Sequence, residues 1–221
     1  MSQIKAILFD FDGTLADTNA LIIRTFEETL AQLLPERTFG REEILNFIGP
    51  TLEQTGCALF GGNGKSFTTL YRRINAKYHD DMISAYPGVV DMVAELKTRG
   101  YKLAIVSSKK RDFLIRGMKC VGLYPYFDYI LGGDDVVHPK PDPEPVLKAV
   151  NHFGLKPTDC LMVGDNEHDI ESAQAAGVIS VGVSWALKGV AHLQKYNPDH
   201  ILHNANDLLE LVSSSATKQI S

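Results

Sequence analysis

A chain of 221 residues, 44% hydrophobic and 22% charged, can bury a proper core and is long enough for one large domain or one domain with a smaller companion. Its formal net charge is -5, with Lys and Arg scattered among Asp and Glu, so no surface field favours nucleic acid or an anionic membrane and neither is expected as a partner. Cys57, Cys120 and Cys160 are widely separated with no CxxC pair, which points to small, buried, unpaired residues in a reducing interior.

The opening segment "MSQIKAILFD" fits neither a secretory signal nor a transit peptide. No stretch approaches the roughly 18 apolar residues of a membrane span, so the cytoplasm is the expected location. Within that segment "AILF" reads as a buried strand. It ends on two like charges, Asp10 and Asp12, and Gly13 and Thr14 follow at once.

Residues 17–83 read differently. "TNALIIRTFEETLAQLL", "REEILNFI" and "SFTTLYRRINAKYHDDMI" are helix-like, with no convincing strand among them. The block is expected to be an all-helical insertion between the first and second core strands. Its ends fall near Asp17 and near "SAYPG", where Pro87 and Gly88 restart a core made of residues 1–16 and 84–221. Inside the block, "FGGNGKS" suggests a nucleotide-binding loop. That pattern requires glycine at position 59, where Leu59 stands, and a preceding strand, so a turn is expected instead.

From residue 84 onward amphipathic stretches, glycine stops and short apolar runs alternate. "VVDMVAELKTRG" precedes "YKLAIV", "PVLKAVNHFG" precedes "CLMVGD", and "ESAQAAG" precedes "VISVGV". Apolar runs of four to six residues suit strands covered on both faces, so the expected fold is α/β with a parallel sheet and right-handed crossovers. The tail after Ser213 is expected to fray.

In such a sheet ligands bind beyond the carboxyl ends of the strands. Those ends carry Asp10 and Asp12, then Ser107, Ser108, Lys109 and Lys110, then Lys140 between two prolines, then Asp165, Asn166 and Asp169. Two carboxylates about 4 Å apart repel by roughly 4 kcal/mol at an effective dielectric near 20, so the group must share protons or hold a cation. An inventory rich in oxygen and free of sulfur selects Mg²⁺ over zinc or copper. A carboxylate is also a competent nucleophile toward phosphorus, with hydroxyls and a lysine to offset the phosphoryl charge.

"DFDGTL", the serine pair after "LAIV", the lysine of "KPDPEP" and "GDNEHD", in this order, resemble the four motifs of the haloacid dehalogenase superfamily, in its Mg²⁺-dependent phosphatase branch. The resemblance implies a Rossmann-like core with an inserted helical cap and an aspartyl-phosphate intermediate. It implies Asp10 as nucleophile and metal ligand, and Asp12 as general acid/base and metal ligand through its carbonyl. Asp165 would be a further metal ligand, while Ser107, the amide of Ser108, and Lys140 would bind the phosphoryl group. Asp169 would position Lys140 or a water beside the metal, with Asn166 also in that supporting layer. Asp12 argues against a dehalogenase, which has no alkoxide to protonate, and against the ion pumps, which carry Thr there. A phosphomutase keeps both aspartates, and a non-catalytic binding protein would have lost at least one of these residues.

"TNALI", "FIGPT", "SSKKRD" and "GVSWALKG" are similar to the bacterial cytosolic pyrophosphatases of the superfamily, more closely than to their sister group, the phosphoglycolate phosphatases. A small phosphorylated substrate is therefore expected, pyrophosphate before phosphoglycolate, acted on by a monomer or weak homodimer. Lys109, with Lys110 and Arg111, is the candidate to meet a second phosphate. His168 and Trp185 are expected to serve packing or supporting roles.

Overall fold

The computed structural model describes residues 3–62 and 64–217. Its core is a six-stranded parallel sheet of β1 (Ala6–Phe9), β4 (Lys102–Val106), β5 (Tyr129–Leu131), β6 (Cys160–Gly164), β7 (Ile179–Val183) and β8 (His200–Leu202). The strand order is β5-β4-β1-β6-β7-β8, so the winding reverses direction beside β1 and leaves a crevice at its carboxyl end.

Apart from the exposed Lys102 that opens β4, strands β4, β1 and β6 are apolar because both faces are covered. Ile7, Phe9, Leu103, Ile105, Leu161 and Val163 face one layer, while Ala6, Leu8, Ala104, Val106, Cys160 and Met162 face the other. The first layer is built from α5 (Val89–Thr98), α6 (Arg111–Cys120) and α10 (Asn206–Thr217), through Met92, Val93, Leu96, Leu114, Met118, Leu208 and Val212. The second is built from α7 (Glu144–His152) and α8 (Glu167–Ala176), through Val146, Ala149, Val150, Ala173 and Ala176. A period of two along each strand thus feeds two helix layers, as a parallel sheet requires.

A two-stranded antiparallel ribbon, β2 (Ala16–Asp17) with β3 (Ser84–Ala85), leaves the sheet after β1. Between its strands run α1 (Asn19–Leu33), α2 (Arg41–Asn46), α3 (Leu52–Phe60) and α4 (Lys65–Tyr78). Phe26, Leu30, Ile44, Phe67 and Tyr71 form a cluster separate from the two sheet layers. "FGGNGKS" follows helix α3 rather than a strand and leads into α4 from Gly64, as a turn does; its residue 63 lies outside the described residues.

Besides the β2–β3 ribbon, three elements past Val183 exceed the sequence reading. β8, the short helix α9 (Val190–Gln194) and α10 extend the fold past Val183. α10 continues to Thr217, through part of the tail expected to fray, and residues 218–221 lie outside the described ones. Among the described residues no helix is long and apolar enough to cross a membrane.

Candidate active site

β1 delivers Asp10 to the crevice, and the Asp10 N–H donates to the Val163 carbonyl of β6 at 2.9 Å. That bond continues the sheet pairing one residue beyond β1 and sets Asp10 beside Gly164, the last residue of β6, which Asp165 follows at once. One ligand oxygen from each of Asp10, Asp165 and Asp169 lies within 4.8 Å of the others. Asp10, Asp12, Ser107, Ser108, Lys109, Lys140, Asp165, Asn166 and Asp169 all border one cavity of about 370 Å³. The fold therefore brings together every site residue expected from the sequence.

Asp169 is fixed by two contacts. Its Oδ2 accepts from the Asn166 N–H at 3.0 Å in the capping box that starts α8, and its Oδ1 accepts from Lys140 Nζ at 2.5 Å. Gly164 is required beside it, because a Cβ there would stand 2.2 Å from Asp169 Cβ. Lys140 is itself buried, donates to the Val106 carbonyl at 2.9 Å and lies 3.3 Å from Asp10 Oδ1.

Burial disfavours the Asp10 carboxylate more than Lys140 favours it, and its pKa is raised to about 6. Asp165 is also pushed well up, by burial and then by the neighbouring charges of Asp169 and Asp10. Burial alone would lower Lys140, but Asp10 and Asp169 together hold it above its ordinary value. Negative charge is in excess here, and Asp10 Oδ1 is buried with no hydrogen bond. A buried carboxylate oxygen that has the Lys140 charge nearby but no hydrogen bond, set among carboxylate ligands only, fits a hard divalent cation.

Two site features escaped the sequence reading. Thr14 Oγ1 donates to Asp165 Oδ1 at 3.2 Å, orienting that carboxylate, although Thr14 stands in the same short run as the aspartates. Arg72 of α4, paired with Glu53 Oε1 at 2.5 Å, borders the cavity from the helical block, and no local pattern marks it.

The cations of "SSKKRD" divide. Lys109 is bound to Asp12, at 2.9 and 3.1 Å from its two oxygens, and Lys110 borders the cavity. Arg111 instead turns to Asp135 at 2.9 Å and to the Ile130 carbonyl, bracing the loop after β5.

The helical block meets the core where Asn166 Nδ2 donates to the Ile48 carbonyl at 3.3 Å, against Gly49. Trp185 packs on Tyr86 and donates to the Thr14 carbonyl at 3.2 Å, while Asn19 donates to the Tyr86 hydroxyl at 2.9 Å; the start of α1 and the segment after β3 are thereby joined. His168 borders the cavity with Nδ1 buried and unbonded.

A doubly covered parallel sheet whose crevice holds buried acids around one lysine defines a hydrolase of the phosphatase type. Residues 7–183 match the pattern of the haloacid dehalogenase-like hydrolases, and the chain belongs to that family. It is 43% identical over 210 residues to the pyrophosphatase PpaX of Listeria innocua, across 95% of this chain and 97% of that protein. It is 44% identical over 213 residues to the pyrophosphatase PpaX of Bacillus pumilus, across 96% and 98% of the two chains.

Among solved structures, a haloacid dehalogenase-like family hydrolase from Streptococcus pneumoniae superposes with a TM-score of 0.82 at 26% identity, over 96% of this chain and 99% of that one. A predicted phosphoglycolate phosphatase from Haemophilus somnus gives 0.79 at 26% identity, over 96% and 99%.

Proposed function

We propose that the protein is a Mg²⁺-dependent inorganic pyrophosphatase that works through an aspartyl-phosphate on Asp10. Asp10, Asp165 and the carbonyl of Asp12 would hold Mg²⁺, which when bound neutralises charge on the phosphoryl oxygens. Asp10 attacks phosphorus as the bond to the leaving oxygen breaks, and Asp12 supplies a proton to that oxygen. Asp12 then takes a proton from the water that hydrolyses the acyl phosphate. Ser107, the Ser108 amide and Lys140 hold the transferring phosphoryl oxygens, with Asp169 positioning Lys140 and Asn166 capping α8 beneath it.

Residues 17–83 act as a cap over the core at 1–16 and 84–221, moving on the β2–β3 ribbon to exclude water from the acyl phosphate. Only Cys160 is buried as expected, whereas Cys57 and Cys120 stand exposed as free thiols, which suit a reducing cytoplasm; the working form is a monomer or weak homodimer.

The observation that carries pyrophosphate over other phosphate compounds is the pair Lys109 and Lys110 on the cavity wall beside Ser107 and Ser108, in a chain 43% identical to a pyrophosphatase. A second phosphate carries more charge than a glycolate carboxylate and calls for such cations. The fold likeness to a predicted phosphoglycolate phosphatase supports the second reading. Phosphate release from both substrates by purified protein with Mg²⁺ separates them. The expected result is a kcat/KM at least about ten-fold higher for pyrophosphate, the size of one good charge-assisted contact. A higher value for phosphoglycolate overturns the choice.

A further inference from the structure

Lys109 Nζ donates to both oxygens of Asp12, and the two side chains are only 13% and 20% exposed. The ammonium also lies 5.7 Å from the centre of the Phe11 ring. Its backbone is anchored separately. The Lys109 N–H donates to Ser107 Oγ at 3.3 Å, and the Lys109 carbonyl accepts from the Gly133 N–H at 2.9 Å. The flexible four-carbon stem can therefore leave Asp12 while the loop stays in place. Both residues border the cavity that also holds Ser107, Ser108 and Lys140.

We propose that Lys109 is a substrate-sensing latch, which holds Asp12 out of the reaction until a second anionic group on the substrate draws the ammonium away. An ammonium bridging both oxygens takes a lone pair on each and occupies the face of the carboxylate that a leaving-group oxygen or an incoming water would otherwise meet. Lys109 meets a single negative charge in this part-buried pair, and a multiply charged phosphate is a stronger acceptor for the same lysine. A substrate with an uncharged tail leaves the latch shut. Discrimination then appears in kcat as well as KM, because binding of the tail releases the group that moves the proton. The latch rests on the assignment of Asp12 as acid/base. It does not depend on which second anion is natural, since a carboxylate tail would open it too.

The test is kcat and KM with Mg²⁺ for ethyl phosphate, pyrophosphate and phosphoglycolate. The proteins compared are the wild type, Lys109→Met, Lys109→Arg, Asp12→Asn and the Lys109→Met/Asp12→Asn double variant, each checked for an unchanged melting temperature. Lys109→Met is expected to raise kcat for ethyl phosphate by about two- to five-fold, the release of a part-exposed ion pair. It should lower kcat/KM for the anion-tailed substrates by about ten-fold or more. In the Asp12→Asn background the gain should vanish, because the latch has nothing to hold. Lys109→Arg, which keeps the charge, should stay nearer the wild-type pattern than Lys109→Met.

Unchanged or reduced turnover of ethyl phosphate in Lys109→Met, or a gain that persists without Asp12, overturns the latch. A wild type that prefers phosphoglycolate, with the opposed effects of Lys109→Met intact, overturns the choice of pyrophosphate and leaves the latch standing.

Discussion

The ammonium of Lys140 stands 2.5 Å from Asp169 Oδ1 and 3.3 Å from Asp10 Oδ1, so one buried cation holds the supporting carboxylate and the candidate nucleophile together. Removing one member of a buried, hydrogen-bonded pair costs about 3–5 kcal/mol, because the other is left uncompensated. Lys140→Ala is expected to lower the melting temperature by roughly 6–20 °C, at about 2–4 °C per kcal/mol for a chain of this size, and to abolish turnover. Melting scans check this, and a wild-type melting temperature would show that Lys140 does not hold the cluster together.

Asp10→Asn should leave the fold intact and reduce turnover by more than about a thousand-fold, or roughly 4 kcal/mol of barrier, since the amide is not a nucleophile. Asp12→Asn should lose a factor of about 10² to 10⁴, as removal of an acid/base group does. The loss should be larger for an alkyl phosphate than for p-nitrophenyl phosphate, whose leaving group departs without a proton. Rates for both esters in both variants decide it, and equal losses on the two esters in Asp12→Asn would count against the acid role.

Gly13 sits at φ +78°, and a Cβ there would stand 2.3 Å from Asp165 Oδ2. Gly13→Ala must therefore strain the turn and displace a carboxylate of the acidic cluster. The apparent Mg²⁺ constant for activity should rise about 10- to 100-fold, as when the support of a metal ligand is removed. A Mg²⁺ titration of the rate measures it, and an unchanged constant would separate Asp165 from the metal.

Stability should depend on pH in a direction set by the same acids. Asp10, raised from 3.8 to about 6, binds its proton more tightly folded than unfolded, and Asp165 is raised in the same sense. The metal-free fold is stabilised by these protons in acid, and that contribution is lost as pH rises from about 4 through about 6. A divalent cation then replaces the protons. Added Mg²⁺ should raise the melting temperature more at about pH 7.5 than at about pH 5, and the reverse order in calorimetry would contradict the reading.

Much of this was legible from the chain alone. Continuous apolar runs such as "LAIV" and "CLMVG" suit strands covered on both faces, and their order with amphipathic stretches leaves few topologies. Because ligands gather at the carboxyl ends of such strands, reading the residues just after each run was enough to assemble Asp10, Asp12, Ser107, Ser108 and Asp165, while Lys140, nine residues past the end of β5, was found from its stiff setting between two prolines. β8 and α10 were not read because "HIL" is three residues long and edge strands carry a weak pattern.

The directions of the long side chains belonged to the tertiary structure. Lys109, Lys110 and Arg111 are adjacent in sequence, yet Lys109 binds Asp12 while Arg111 binds Asp135. Each flexible stem settles on whichever acceptor the fold leaves nearest, and spacing along a loop does not encode that. Thr14 bonding to Asp165, Arg72 reaching the cavity and Asn166 meeting Ile48 likewise depend on contacts between distant segments. The sequence determined which chemical groups gather at the sheet edge, through strand burial and chain order. Only packing in three dimensions decided which of those groups touch, because hydrogen bonds and ion pairs form between neighbours in space.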